Sequence, residues 1–215
     1  MFKDRKDAGT QLAEKIKDYA GQGDVFVLAL PRGGVVIGFE IANSLRAPLD
    51  VLIIRKIGHP WQPELAVGAI SETGSIVYNE DVAASIGVTK DYLRGEAARQ
   101  REEIARLQQL YRSGQKLVNL RGKTVILVDD GVATGATMKA AVETLKRERV
   151  GKLIIAVPVA PPYAAAELRR RIDVFVCLDI PEDFMSVGSY YEDFKQVPDA
   201  DVTRLLQDFR HRAAA

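Results

Sequence analysis

Two adjacent carboxylates, followed by a run of small and hydroxyl residues, offer the most specific chemistry in this sequence. Asp129 and Asp130 come directly after the apolar run 125–128, and the chain continues with Gly131, Val132, Ala133, Thr134, Gly135, Ala136 and Thr137. Paired carboxylates can accept hydrogen bonds from vicinal hydroxyls. Small residues at the start of a helix let backbone N–H groups surround a phosphate. The motif therefore predicts a site for a sugar phosphate.

An α/β sheet is the element that must position this motif. Apolar runs of strand length occur at 25–30, 49–54, 124–128, 153–157 and 174–178, and helix-like stretches follow several of them. Strands that alternate with helices indicate parallel crossovers. We therefore expect an open, mostly parallel twisted sheet with helices on both faces. Ligands of such sheets bind at the carboxyl ends of the strands, where Asp129 and Asp130 lie.

Two regions depart from this alternation. Between the two halves of the sheet we expect a hairpin over 66–78 and a long polar helix over about 89–113. From residue 180 the alternation of strands and helices ends, and the chain continues with aromatic residues and a final helix over 200–211. The sequence therefore predicts a core over residues 1–179, followed by a small hood and a C-terminal helix over 180–215.

The segment from Val125 to Thr137 resembles the signature with which type I phosphoribosyltransferases bind 5-phosphoribosyl-1-pyrophosphate (PRPP). That signature is an apolar strand, two acids, two variable residues, a small residue or Thr, and then Thr, Gly, a variable residue and Thr or Ser. The match is unbroken. The resemblance implies that Asp129 and Asp130 hold the ribose 2′ and 3′ hydroxyls and that residues 133–137 wrap the 5′-phosphate.

Other folds also place acids directly after a strand. Receiver domains and haloacid dehalogenases do so, usually after their first strand and without the Thr-Gly-x-Thr cradle. A chance acid pair at a strand-to-helix turn is a further alternative. The position of this pair past the middle of the chain favours the phosphoribosyl interpretation.

A second candidate anion site, Pro31-Arg32-Gly33-Gly34, follows the first strand. Two glycines allow close backbone approach to an anion, and Arg32 offers a fork of N–H donors. In the family that the sequence resembles, the corresponding loop binds the pyrophosphate of PRPP, often with a non-proline cis peptide. A plain glycine turn is the alternative.

Arg55 and Lys56 follow the second apolar run and precede the glycine and prolines of 58–63. Cations at the end of a strand, followed by a mobile loop, suit a pyrophosphate leaving group. We expect a flexible loop over about residues 56–68 that closes over bound PRPP. Arg55 and Lys56 are expected among the PRPP ligands.

Two carboxylates are candidates for handling the proton of the acceptor base. The spacing of this region is similar to that of adenine phosphoribosyltransferases, and the similarity implies that Glu72 is the catalytic acid. Thr73, however, stands where those enzymes have an aromatic residue. Glu64 is the rival catalytic candidate. A surface carboxylate without a catalytic role is the alternative for both.

The acceptor base is expected to meet the hood. Phe184, Tyr190 and Tyr191 lie in the tail, and in the resembled family hood aromatics stack on the base, although capping a sheet edge is the commoner role of such rings. Ala133 stands where the 6-oxopurine enzymes have an acid that contacts the base, and alanine cannot accept a hydrogen bond. We therefore expect hypoxanthine and guanine to be poor acceptors.

The resemblance implies a reaction in which a nitrogenous base displaces pyrophosphate from PRPP, with Mg²⁺ as cofactor. Mg²⁺ prefers hard oxygen ligands and retains water, so Asp129 and Asp130 are expected to contribute to its site indirectly. A protein of another class, which senses PRPP or a nucleotide without turning it over, is the alternative. Both would bind PRPP, and only the enzyme would release pyrophosphate.

Composition limits the other partners. The 215 residues carry 30 Lys and Arg against 29 Asp and Glu, a formal net charge of +1, so no strong field favours nucleic acid or an anionic membrane surface. No apolar stretch has the length of a membrane span, and we expect a cytoplasmic protein. We also expect a homodimer, because the long helix has an apolar stripe that comprises Leu93, Ala97, Ile104, Leu107 and Tyr111.

Overall fold

The structure, a computed structural model, describes residues 1–61, 66–78 and 89–214. Its strands are, in chain order, β1 (Val25–Ala29), β2 (Leu49–Val51), β3 (Ile54–Gly58), β4 (Ala66–Ser71), β5 (Ile76–Tyr78), β6 (Thr124–Val128), β7 (Lys152–Val159) and β8 (Val174–Asp179). Its helices are α1 (Arg5–Lys15), α2 (Gly33–Leu45), α3 (Lys90–Arg112), α4 (Ala136–Arg147), α5 (Pro162–Arg169) and α6 (Asp199–Ala214). Within these ranges, no helix is both long and apolar enough to cross a membrane.

Five parallel strands form the central sheet, in the order β2-β1-β6-β7-β8. β6 therefore lies in the middle, and all of its residues are buried. Strands of a parallel sheet are covered on both faces, which explains why their sequences are continuously apolar. The predicted open, mostly parallel α/β sheet is confirmed.

Helices cover both faces of this sheet, as the sequence predicts. Val27 and Ala29 of β1 face a core shared with α1, α2 and α6, whereas Phe26 and Leu28 face a second core shared with α4 and α5. This division follows from the alternation of side chains along a strand. The two cores fix β6 rigidly, and the residues that follow it emerge at one edge of the sheet.

The apolar run 49–54 divides between two sheets, so the single strand predicted there is wrong. β2 ends at Val51, and the Ile53 N–H donates to the Glu72 carboxylate over 2.9 Å instead of to a neighbouring strand. The chain then enters β3, which pairs with β4 in a separate antiparallel sheet. The physical reason is a side-chain acceptor from elsewhere in the chain, which the local sequence does not reveal.

The second sheet has three antiparallel strands in the order β3-β4-β5. β4 and β5 form the hairpin that the sequence predicts over 66–78. Residues 56–58 and 66–68 belong to paired strands, so the loop expected over about 56–68 is shorter than predicted. Residues 62–65 lie outside the described residues.

The long polar helix is present as α3. Its N-terminus is capped by Thr89, whose hydroxyl accepts a hydrogen bond from Tyr92 N over 3.2 Å, a common N-cap arrangement. Its apolar stripe packs against β3, β4 and α6 of the same chain, where Ile104 and Tyr111 are buried. The stripe is therefore covered without a partner copy, and the homodimer stays a prediction.

Candidate functional site

The acid pair lies at the first two positions after β6, and both residues are half-buried. Asp129 Oδ1 accepts a hydrogen bond from Asp130 N over 2.8 Å, which fixes the turn that follows the strand. The pKa of Asp129 is raised well above its ordinary value, because burial and the negative charge of Asp130 both oppose its ionisation. The pair thus places two carboxyl groups, one of which resists ionisation, at the carboxyl end of the central strand.

Asp130 is held from two sides by residues distant in sequence. Its Oδ2 atom accepts a hydrogen bond from Arg5 Nε over 2.7 Å. Its backbone carbonyl accepts a hydrogen bond from the Tyr191 hydroxyl over 2.6 Å. The N-terminal helix and the hood therefore meet at this carboxylate.

The glycine loop lies directly against the acid pair. A Cβ atom at Gly34 would stand 2.9 Å from Asp129 Cα, and a Cβ atom at Gly33 would overlap the Asp130 carboxylate. Only glycine permits this approach. The peptide between Pro31 and Arg32 is cis, in line with the resemblance. The two motifs that the sequence separates by almost 100 residues thus form one site.

Residues 131–137 line a cavity of about 170 Å³ at the N-terminus of α4, together with Lys56 and Val187. Gly135, at the N-cap position, has a φ of 75°, a left-handed conformation that glycine adopts at little cost. The Tyr163 hydroxyl donates to Ala133 O over 3.0 Å and braces the loop. Backbone N–H groups, the helix dipole and one Lys make this cavity suitable for a phosphate.

A second cavity, of about 470 Å³, also borders the acid pair. It is lined by Arg5, Arg32, both acids and, from the tail, Phe194 and Gln196. Asp129 and Thr137 line both cavities, which are therefore adjacent. The arrangement can hold an anion in each of two adjacent cavities beside the acid pair.

The three predicted cations point in different directions. Arg32 lines the larger cavity and Lys56 the smaller one. Arg55 instead donates to Gln100 Oε1 of α3 over 3.1 Å, on the opposite face of β3 from Lys56, because neighbouring residues of a strand alternate. Arg32 and Lys56 thus line cavities beside the acid pair. Arg55 lines a third cavity of about 350 Å³, together with Pro31 and Arg32.

Glu72 is buried and has a structural role. Its carboxylate accepts hydrogen bonds from Ile53 N, from Gln108 over 3.1 Å and from Arg112. Only 1% of the side chain is exposed. These contacts join the hairpin to α3. The Glu72 carboxylate does not line either cavity. The rival candidate, Glu64, lies outside the described residues.

The three hood aromatics divide into two settings. Phe184 and Tyr190 stack with ring centroids 5.7 Å apart and an interplanar angle of 11°. Tyr191 is buried between Phe2 and Phe194. Tyr191 is therefore a packing residue of the hood, whereas the Phe184 and Tyr190 pair is the part of this predicted set that can meet a flat ring.

Sequence reasoning missed Arg5 and Phe194. Arg5 lies in a polar N-terminal segment without a motif, and its contacts span 125 and 190 residues of chain. The one local signal is a cation in the first turn of a helix, where the helix dipole disfavours positive charge. Phe194 belongs to the aromatic tail, but its ring covers the Arg5 guanidinium at 3.8 Å instead of a base.

Comparison with known proteins agrees with this geometry. Residues 61–195 match the family model of the phosphoribosyl transferase domain. A Mycobacterium tuberculosis protein, provisionally named a phosphoribosyl transferase, is 42% identical over 212 residues, which are 99% of this chain and 47% of that protein. The chain thus spans about half the length of this curated relative. The human phosphoribosyltransferase domain-containing protein 1 is 26% identical over 182 residues, or 77% of each chain.

A solved structure extends the likeness to three dimensions. The crystal structure of TT1426 from Thermus thermophilus is 42% identical, with a TM-score of 0.82 over 97% of this chain and 99% of that chain. The family model covers well over half of the sequence and includes the acid pair and its cradle. The chain therefore belongs to the type I phosphoribosyltransferase family.

Proposed function

We propose that this protein is a Mg²⁺-dependent phosphoribosyltransferase, which transfers the 5-phosphoribosyl group of PRPP to a nitrogenous base and releases pyrophosphate. One observation carries the proposal. A phosphate-sized cavity and a larger cavity bordered by the glycine loop adjoin each other at Asp129, and Asp130 lines the larger one. PRPP has the same order of groups, with a 5′-phosphate, a ribose diol and a 1-pyrophosphate.

The residues take their roles from this order. Backbone N–H groups of 133–137 and the Lys56 ammonium bind the 5′-phosphate. Asp129 and Asp130 accept hydrogen bonds from the ribose 2′ and 3′ hydroxyls. Arg32 and the backbone of Gly33 and Gly34 bind the pyrophosphate. This clamp orients C1 of the ribose, and orientation of the reacting atoms is a large part of catalysis in such transfers.

The reaction exchanges one bond at C1 for another. The C1–O bond to pyrophosphate breaks, a C1–N bond to the base forms, and the proton of the base nitrogen passes to the released pyrophosphate or to water. Positive charge develops on the ribose ring as the leaving group departs. Asp129 and Asp130 stabilise this positive charge electrostatically, while Arg32 neutralises the departing pyrophosphate.

The acid pair also suits Mg²⁺. Asp129 Oδ1 and Asp130 Oδ2 are occupied by a backbone N–H and by Arg5, so each carboxylate retains one oxygen for a hydroxyl or a metal-bound water. Among the described residues, no group of three or more His, Cys, Asp or Glu side chains is arranged to hold a metal. This donor set fits a Mg²⁺ that takes most of its ligands from PRPP and water. When bound, Mg²⁺ neutralises pyrophosphate charge.

The acceptor is a nucleobase or a related nitrogenous base, bound under the hood beside the Phe184 and Tyr190 stack. A flat ring gains stacking energy against such aromatic side chains. We place the protein in the cytoplasm, as a homodimer, without a nucleic-acid or membrane partner. The near-neutral net charge of +1 supports the last point.

A pyrophosphate-release assay tests the proposal. Mg·PRPP is supplied with a panel of purine and pyrimidine bases, and we expect pyrophosphate and a nucleoside monophosphate to appear with one of them. The Asp129→Asn, Asp130→Asn double variant is the negative control. It should weaken Mg·PRPP binding by about 100-fold or more, because two charge-assisted acceptors are lost, and remain folded.

The same assay separates the enzyme from a PRPP sensor. Binding of Mg·PRPP by calorimetry, without pyrophosphate release for any base, would identify a non-catalytic PRPP-sensing protein. Unchanged PRPP affinity in the double variant would remove Asp129 and Asp130 from the ribose site altogether.

A further inference from the structure

Arg5 occupies an unusual place for an arginine. It is the first residue of α1, and only 8% of its surface is exposed. Burial of a guanidinium is costly unless its charge and its donors are paired, and the positive end of a helix dipole adds to the cost. Partners that stabilise Arg5 must therefore be specific.

Each of these partners belongs to the cleft or to its cover. Arg5 Nε donates to Asp130 Oδ2 over 2.7 Å, and its Nη1 donates to Lys195 O over 2.8 Å. The guanidinium lies over the ring of Phe194 at 3.8 Å, a cation–π contact. The Arg5 side chain also borders the α-carbon of Gly33 in the glycine loop. One side chain thus joins the acid pair, the glycine loop and the tail.

The backbone reinforces this connection. Phe2 and Tyr191 form a parallel bridge, in which Phe2 N donates to Tyr190 O over 2.8 Å and Glu192 N donates to Phe2 O over 2.9 Å. The next rung is a hydrogen bond of 2.9 Å from Asp193 N to Lys3 O. Residues 2–5 and 190–195 are therefore joined by backbone and side-chain hydrogen bonds, and we call this pair of segments the N-terminal clamp.

We propose that Arg5 is a positioning residue for the ribose, acting through Asp130, and that the N-terminal clamp couples the hood to sugar recognition. This proposal rests on the proposed function, because the ligand that Asp130 receives is the ribose of PRPP. Arg5 occupies Oδ2 and thereby fixes the orientation of the carboxylate that receives the ribose. It also places a positive charge 2.7 Å from the Asp130 carboxylate, at the edge of the acid pair.

A double-mutant cycle tests whether Arg5 acts through Asp130. Arg5→Gln should reduce Mg·PRPP affinity by about tenfold or more, because a charge-assisted hydrogen bond that orients the acceptor is lost. In the Asp130→Asn background, the same Arg5→Gln change should alter affinity by less than about twofold. Equal losses in both backgrounds would overturn the proposal, since a purely structural role of Arg5 does not depend on the Asp130 charge.

Two further variants separate geometry from charge and from general damage. Arg5→Lys keeps the positive charge but cannot donate in two fixed directions, so we expect it to recover only part of the affinity. Lys6→Gln removes the adjacent cation, which is exposed, and should leave affinity unchanged. Full recovery in Arg5→Lys would contradict the orienting role.

Hydrogen exchange in the free protein tests the N-terminal clamp without any need for PRPP binding or turnover. Arg5→Gln should speed amide exchange in 190–195 while the exchange of β6 stays as in the wild type. If the wild type does not bind Mg·PRPP, the proposed function fails, whereas this exchange pattern still decides whether the N-terminal clamp exists. Unchanged exchange in 190–195 would mean that Arg5 does not hold the hood.

Discussion

Asp129 and Asp130 place two like charges on neighbouring residues, and the protein compensates only one of them. Arg5 is paired with Asp130, while Asp129 is surrounded by β6, the glycine loop and Asp130 itself. Burial therefore raises the pKa of Asp129. Such an uncompensated charge is expected in a site for a polyhydroxyl ligand and a cation, because the binding of that ligand and cation offsets the free-energy cost.

Asp129→Asn should therefore make the free protein more stable, most clearly at high pH. The folded-state pKa of Asp129 is raised above its unfolded value, so its ionisation lowers stability as pH rises from about 4 through the folded pKa. Asparagine cannot ionise, so the variant does not lose stability in this way as the pH rises. We expect the melting temperature of Asp129→Asn to exceed that of the wild type by about 2–4 °C near pH 8 and by less near pH 5.

The matched comparison is Asp130→Asn, which removes the partner of Arg5 and should lower the melting temperature at both pH values. An Asp129→Asn protein that melts below the wild type at both pH values would show that the Asp129 charge is not a cost. Binding of Mg·PRPP should weaken in both variants. Stability and affinity would then change in opposite directions for Asp129 alone.

Ala133 is expected to limit the bases that the cleft accepts. Its side chain is exposed in the cradle, next to the cavity beside the acid pair. A methyl group can neither accept a hydrogen bond from a purine ring nitrogen nor take up its proton. We expect guanine and hypoxanthine to be poor acceptors in the base panel, and efficient guanosine monophosphate formation would contradict this. Ala133→Asp should raise relative turnover with these two bases.

At the scale of elements, the sequence predicts what is local. β6, the acid pair and the N-terminus of α4 follow one another in the chain, and their residue types alone indicate strand, loop and helix. The change of sheet at Ile53 is different, because its cause is an acceptor 19 residues away. The Arg5 contact is further still, at 125 residues. Contacts of that separation have no period or motif to reveal them.

The hairpin is bound to the rest of the molecule by a buried ion pair. Arg112 at the end of α3 donates to Glu72, with 3% and 1% of the two side chains exposed, and Asp50 of β2 lies 3.6 Å from Arg112 Nη1. The opposite side of the hairpin is held by α4, where Arg147 donates to Ser75 over 2.6 Å. The hairpin is thus fixed to both α3 and α4.

The Glu72→Gln variant tests whether Glu72 is a structural residue or a catalytic acid. Loss of one partner of a buried ion pair costs about 3 kcal/mol, so we expect a clearly lower midpoint of denaturant unfolding. The pH profile of turnover should keep its shape, because Glu72 does not face the cleft. Loss of one limb of that profile, with the stability of the wild type retained, would instead restore Glu72 as the proton donor.

At the scale of the whole molecule, four separate elements wall the cleft. The central sheet supplies the acids, the hairpin sheet supplies Lys56, the tail supplies Val187 and Phe194, and the N-terminal helix supplies Arg5. Lys56 reaches the smaller cavity from a paired strand, where it lies opposite Ala69. The hairpin that carries this pairing is anchored at both sides. The sequence suggested a cation that arrives only when a loop closes, and this placement favours a preformed contact.

Lys56→Ala therefore tests whether the molecule binds PRPP with a rigid frame. A contact that exists before and during the reaction stabilises substrate and transition state equally, so its loss raises KM and leaves kcat unchanged. We expect Lys56→Ala to weaken PRPP binding by about tenfold, measured without a base, while kcat at saturating PRPP stays within about twofold of the wild type. Lys116→Ala is the matched control, since this exposed lysine lines neither cavity and should not change PRPP affinity. If Lys56→Ala instead lost turnover and kept its affinity, the contact would be made only on closure, and the hairpin would have to move as a lid despite its anchors.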